Sequence, residues 1–105
     1  MQRINARDLI KLKDSATIID VREDDEYATT HVAGSLSIPM SCFVDRFDQV
    51  PTDTPVYIIC ASGNRSGRVT EYLAGRGFDA TNIEGGIIEW AGYGGPVVSG
   101  QPATT

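Results

Sequence analysis

Of all stretches in the chain, Val56 to Arg68 constrains the fold most. It opens on Val56, Tyr57, Ile58 and Ile59, an apolar run rich in β-branched residues that reads as a buried strand. It closes into a helical pattern, with Val69, Tyr72 and Leu73 on one stripe. A strand that passes into a helix through a few residues is the repeating unit of α/β sheets, in which ligands sit beyond the carboxyl ends of the strands. Cys60 falls at that end and faces the N-terminus of the following helix, where unpaired N–H groups and the helix dipole favour an anion. The thiolate is therefore favoured over the thiol. A free cysteine titrates near ~8.5, and such a place brings it to roughly 3.5–7.5.

Each loop residue suits that chemistry. Ala61 and Ser62 are small and leave the mouth open. Gly63 can take positive φ and turn successive N–H groups inward as an anion nest. Asn64 tolerates left-handed backbone, Arg65 adds a permanent charge with forked donors, and Ser66 can cap the helix. The plainer alternative is a strand-end cysteine that packs as a small apolar residue, but packing alone does not need Gly63, Asn64 and Arg65 in that order. Cys42, the other cysteine, has no such loop and reads as packing. The two form no metal-ligand spacing and His31 stands alone, so no metal site is expected. A disulfide between them stays open, although cytosolic thiols are usually reduced.

The rest of the chain alternates in the same way. Ile4 reads as a strand end and Asn5 as the cap of a helix that buries Leu9, Ile10 and Leu12 and ends at Asp14 and Ser15. Thr17 to Val21 reads as a second parallel strand, carrying Asp20 to the rim that holds Cys60; Asp20 there is either a turn or cap residue, or an acceptor that braces the cysteine loop. Glu23 to Tyr27 starts a short acidic helix. Leu36 to Ile38 is a short strand stopped by Pro39, and Ser41 caps a helix with Phe43, Val44 and Phe47. The helix after Cys60 runs to about Ala74 and stops at Gly75 to Gly77. Ala80 to Ile83 is the last strand, after which Gly85 and Gly86 turn the chain into a short buried helix with Ile87, Ile88 and Trp90. This pattern predicts an α/β domain with a mainly parallel sheet and helices on both faces. Residues 1–98 form that domain, and residues 99–105 read as a flexible tail or the stub of a linker.

Composition narrows the function. A net charge of −5 without a Lys/Arg block argues against nucleic acid as a partner. The same charge weakens the attraction of anionic substrates unless Arg65 and Arg68 create a local positive field. No apolar run approaches the ~18–20 residues that span a membrane, and the expected location is cytoplasmic, with no signal peptide at the start.

Cys60 to Ser66 resembles the active-site loop of rhodanese-domain sulfurtransferases. Ile18 to Arg22 with Glu26 and Tyr27 resembles the first block of that family, His31 to Ser35 through Ile38 and Pro39 the second, and Gly85 to Trp90 with Gly95 to Val97 the closing one. Thr30 departs from a usual glycine and Ala33 from a common proline. The resemblance implies a five-stranded sheet with the cysteine loop on its rim, and persulfide chemistry without a cofactor. Cys60 takes a sulfane sulfur from a small anionic donor such as thiosulfate, or from a persulfide, and passes it to cyanide or a thiol, a protein thiol included. In that scheme Cys60 and Arg65 are catalytic, while Ala61, Ser62, Gly63, Asn64 and Ser66 cradle the bound sulfur. The resemblance also implies a structural ion pair of Arg22 with Glu26, favours the bracing role for Asp20, and gives His31 a loop-holding role ahead of proton transfer. Two other classes stay in view. One is a rhodanese-like binding or regulatory module, or a persulfide carrier. The other is a cysteine phosphatase or arsenate reductase; the phosphatases space their cysteine and arginine one residue further apart than the four residues between Cys60 and Arg65.

Overall fold

Strands form where β-branched residues run together, and the two apolar faces of each central strand call for cover on both sides. A computed structural model describes residues 1–101. Its elements in chain order are β1 (Gln2–Asn5), α1 (Ala6–Ile10), β2 (Thr17–Asp20), α2 (Asp24–Thr29), β3 (His31–Val32) and β4 (Leu36–Ser37). A 3-10 turn (Met40–Cys42), α3 (Phe43–Arg46) and a second 3-10 turn (Phe47–Gln49) follow. Then come β5 (Val56–Ile59), α4 (Asn64–Ala74), β6 (Ala80–Glu84), α5 (Gly86–Gly92) and β7 (Val97–Val98). Five strands form one sheet in the order β1-β6-β5-β2-β4, with every neighbouring pair parallel. The expected five-stranded α/β architecture is therefore what the chain adopts.

Alternation along the strands sorts the core into two layers. Ile18, Ile59 and Ile83 pack with Leu9 of α1 and with Ile87 and Trp90 of α5. Ile19, Val56 and Ile58 pack on the other face with Phe43 of α3 and with Val69 and Leu73 of α4. Trp90 is wholly buried, and its indole N–H donates to the Pro96 carbonyl at 3.1 Å, so its polar atom is satisfied. Asn5 caps α1 as expected, its side chain accepting from the Asp8 N–H at 2.8 Å.

The strand order also locates a site. From β2 the chain moves to β4 on one side, whereas from β5 it moves to β6 on the other. The carboxyl ends of β2 and β5 thus flank a reversal of strand order, the crevice in which open parallel sheets place their ligands.

Several local expectations give way. α1 ends at Ile10 and passes into tight turns, which leaves Leu12 exposed instead of in the core. Ile88 of α5 points outward, since only Ile87 and Trp90 share its buried face. Ser41 caps nothing: its hydroxyl donates to Glu23 at 2.6 Å. A two-stranded antiparallel ribbon of β3 and β7 has too few residues for a period to show in the sequence. Of the expected tail, the Ser99 hydroxyl and the Gly100 N–H donate to the Thr29 and Ala28 carbonyls, both at 2.9 Å, so these two residues are held on α2. Residues 102–105 lie outside the described residues.

Candidate active site

β5 delivers Cys60 to the rim beside the end of β2, with its sulfur almost wholly buried. Gly63 takes φ +106°, in the region that favours glycine, and this turns its N–H back onto Cys60 Sγ at 3.1 Å. The Ser66 hydroxyl lies 3.3 Å from the same sulfur. Burial pushes the Cys60 thiol up. The N–H groups of Ser66, Gly63 and Ser62, with the Ser66 hydroxyl once its single proton turns from Asn82 to the sulfur, outweigh it, so the thiol titrates below its ordinary value. Ala61 is half-buried at the mouth, and Ser62 and Asn64 are exposed there.

Two other elements shape the loop from behind. The Ile87 N–H of α5 donates to the Cys60 carbonyl at 2.9 Å, and the Ile88 N–H to the Ala61 carbonyl at 3.3 Å. With its carbonyls drawn toward α5, the loop keeps its N–H groups for the sulfur. A Cβ on Gly86 would lie 2.4 Å from both of those carbonyl oxygens, so α5 approaches this closely only with glycine there. Asn82 of β6 closes the loop from the other side. Its Nδ2 donates to the Gly63 carbonyl at 3.2 Å and its Oδ1 accepts from the Ser66 hydroxyl. Sequence reasoning missed Asn82, although a buried amide in the run from Ala80 to Ile83 is a polar interruption that calls for partners.

Ser66 therefore does not cap α4. Gly63 occupies the cap position, and Ser66 sits inside the helix with its hydroxyl between sulfur and amide. Asn64 has no left-handed backbone, since every positive φ among the described residues belongs to a glycine.

The charged residues pair differently from expectation. Arg22 forms no ion pair with the Glu26 carboxylate and reaches only the Glu26 backbone carbonyl, at 3.4 Å. Buried Asp20 accepts from its N–H at 2.9 Å, Nε at 3.2 Å and Nη2 at 2.9 Å, and Arg22 Nη2 also donates to the Thr30 carbonyl at 2.6 Å. Two residues of separation let one carboxylate take both backbone and guanidinium, which the more distant Glu26 cannot do. Asp20 thus braces Arg22 and the turn after α2, and its side chain makes no hydrogen bond to the cysteine loop. Glu26 instead takes Arg65 in a fork, with Nη1 to Oε1 at 2.7 Å and Nη2 to Oε2 at 2.9 Å. The hydrogen bonds from Arg65 hold the Glu26 carboxyl down at about 2 against some burial, and Glu26 in turn pushes the Arg65 guanidinium up. His31 Nδ1 lies 2.7 Å from the Tyr27 carbonyl, and its ring stacks on Tyr27 at 3.7 Å, so it fastens the end of α2.

Both cysteines are free, and Cys42 lies half-buried with its sulfur 3.6 Å from the Pro39 carbonyl and 3.7 Å from Arg46 Nη1. A cavity of about 380 Å³ opens beside the loop, lined by Ser62, Gly63, Asn64, Arg68, Glu71 and Glu84 among others. No helix among the described residues is long and apolar enough to cross a membrane.

The chain is similar to known proteins. The Rhodanese-like domain family matches residues 5–93. An uncharacterized protein of Bacillus subtilis, YqhL, is 38% identical over 78 residues, 73% of this chain and 62% of its own, so the match spans less than two thirds of that relative. A protein of Allochromatium vinosum named sulfurtransferase is 36% identical over 83 residues, 78% of each chain. The crystal structure of a rhodanese-related protein from Thermoplasma volcanium superimposes with a TM-score of 0.89 at 37% identity, over 93% of this chain and 98% of its own.

Proposed function

The chain belongs to the Rhodanese-like domain family, and from that membership we propose that it is a sulfurtransferase working through a persulfide on Cys60. The observation that carries this reading is the convergence of backbone N–H groups and one hydroxyl on a buried thiol at the rim of a parallel sheet. A relative named sulfurtransferase at 36% identity supports the class.

The Cys60 thiolate attacks the outer sulfur of a donor. A bond from Cys60 Sγ to that sulfur forms, the donor's S–S bond breaks, and the donor leaves with the electron pair as sulfite from thiosulfate or as a thiolate from a persulfide. Cyanide or an acceptor thiolate then attacks the outer sulfur of the Cys60 persulfide, and the Cys60 thiolate is released. This is covalent catalysis in two displacements with ping-pong kinetics. The N–H groups of Ser62, Gly63 and Ser66 hold the negative sulfur, while Arg65, at the end of the loop, is paired with Glu26.

Two features favour this reading over a phosphatase. The loop is one residue shorter between cysteine and arginine, and Arg65 spends both of its terminal nitrogens on Glu26 instead of offering them to a phosphoryl group. A pure binding module would not need a thiol poised as an anion. The test is intact mass under non-reducing conditions after exposure to thiosulfate and, separately, to an alkyl persulfide, with chromogenic aryl phosphate hydrolysis measured on the same preparation. Wild type and Cys42→Ala should gain one sulfur and lose it to cyanide, while Cys60→Ser gains none. Phosphate turnover that depends on Cys60, with no sulfur transfer, would replace the proposal by a phosphatase; neither activity would leave a binding module.

A further inference from the structure

We propose that Glu26 sets the charge of the sulfur donor: by pairing with Arg65 it takes the loop's own arginine away from the Cys60 thiolate, and the site favours an organic persulfide, with at most one negative charge, over a dianion such as thiosulfate. The inference rests on the sulfurtransferase reading and concerns which donor that site accepts. It starts from the charges around the sulfur. Arg22 is consumed by buried Asp20. Arg65, the arginine of the loop itself, is forked onto Glu26 at 2.7 and 2.9 Å. Arg68, one turn further along α4, lines the cavity beside the loop together with two carboxylates, Glu71 and Glu84. Glu23 stands on the same side as Glu26 and binds Ser41, and Asp24 and Asp25 fill the first turn of α2. Ala61, directly after the cysteine, brings no charge. What remains for the reacting sulfur is a set of backbone N–H groups, with exposed Arg68 set against those two carboxylates in the cavity wall.

The two donor classes ask for different things. With a persulfide, the thiolate attacks the outer sulfur, the donor's S–S bond breaks and R–S⁻ departs with the electron pair; counting an ionised persulfide on each side, at most two negative charges share the loop before and after. With thiosulfate the same displacement releases sulfite dianion and leaves an anionic Cys60 persulfide, so three negative charges share the loop before and after. A free guanidinium would offset part of that repulsion, and Glu26 withholds it. Because its carboxyl is held down at about 2, Glu26 stays ionised throughout the pH range in which the thiolate reacts.

The experiment compares kcat/KM for loading Cys60 from thiosulfate, a dianion, and from an alkyl persulfide whose R group carries no charge, generated in the assay. It uses wild type, Glu26→Gln and Asp53→Asn, the last making the same change of net charge at an exposed site before β5, at the opposite end of that strand. In Glu26→Gln the ratio of thiosulfate to persulfide should rise roughly 3- to 10-fold, chiefly through a lower KM for thiosulfate. In Asp53→Asn the ratio should stay within about twofold of wild type. A second reading needs no variant: thiosulfate loading of wild type should speed up with added salt, because screening weakens repulsion, whereas a site with a free cation slows. An unchanged or lower ratio in Glu26→Gln, an equal rise in Asp53→Asn, or slowing of wild type by salt would overturn the proposal. A wild type that loads from neither donor is a different result, which removes the sulfurtransferase reading and this inference with it.

Discussion

Cys60 and Cys42 both follow strands of the same sheet, and their surroundings differ in kind. Cys60 comes directly after β5, where Gly63 bends the backbone so that N–H groups face its sulfur. Cys42 comes in a 3-10 turn shortly after β4, where its nearest backbone partner is a carbonyl, the Pro39 oxygen at 3.6 Å, which only a protonated thiol can engage. Yet Cys42 has the closer arginine. Arg46 Nη1 lies 3.7 Å from its sulfur, while both terminal nitrogens of Arg65 are bound to Glu26. A neighbouring cation is therefore not what distinguishes the two sites. The direction in which the local backbone points its dipoles is, and that direction is set by one left-handed glycine and by the helix that draws the loop's carbonyls away.

The comparison can be broken at each of its parts. The largest effect should come from Arg65→Ala, which leaves Glu26 as an unpaired carboxylate facing the end of the cysteine loop. Sulfur transfer should fall by about 10²-fold in steady-state assays, whereas Arg46→Ala should stay within about twofold of wild type, since Arg46 bonds only to Cys42, Ser37 and Gln49, away from the Cys60 loop. Equal effects would mean that the loop backbone works without help from its arginine. Next comes Gly86→Ala, whose added methyl meets two carbonyl oxygens at 2.4 Å with φ at +57°. It should destabilise the fold by ~1–3 kcal/mol in urea denaturation and weaken loading of Cys60 in parallel. Gly92→Ala, with nothing within 4 Å, should be nearly silent.

Ser66→Ala should move the pH midpoint of Cys60 alkylation upward, because the Ser66 hydroxyl is the largest of the groups drawing that thiol down. Measuring it on a Cys42→Ala background isolates the signal. A midpoint that does not move would assign the whole effect to the N–H groups. The smallest effect concerns acid stability. Glu26 falls from an ordinary 4.5 to about 2 on folding, so its contribution is present above about 4.5 and is lost as pH falls toward 2. The pair is about a third exposed, with side chains at 36% and 34%, so solvent screening limits that contribution to ~1 kcal/mol or less. Denaturation midpoints of wild type and Glu26→Gln should converge across this window; parallel curves would show that the fork contributes nothing to stability.

Which parts of this site were legible in the sequence follows from the range of the interactions. Strand, loop and helix around Cys60 are local, and their periods and small residues show directly in Val56 to Leu73. The cap of α1 by Asn5 was legible for the same reason, since its partner is three residues away. Partner choice across space was not. Arg22 has carboxylates on both sides of it in sequence, Asp20 and Glu26, and spacing alone cannot tell that Asp20 is buried with its oxygens aimed at Arg22. Glu26 is 39 residues from Arg65 and meets it only because β2 and β5 pair side by side. Ser66 looked like a cap because a cap needs only a hydroxyl near a helix start, whereas its real partner, Asn82, lies on another strand.

That clamp by Asn82 has a timetable. Cys60, Gly63 and Ser66 are synthesised before the amide that holds them, and the N–H groups of Ile87 and Ile88 come later still. At roughly 5–20 residues per second the wait is on the order of a second or more. During it Cys60 is an ordinary thiol on an open strand end, no more prone to oxidation or alkylation than any other. Its reactivity arrives together with β6 and α5, when the sheet around it is closing and the sulfur passes out of reach of large reagents. A newborn chain is thus spared from carrying an activated sulfur while still unfolded, and a brief pulse of thiol label during refolding would show whether heightened reactivity ever precedes the docking of β6.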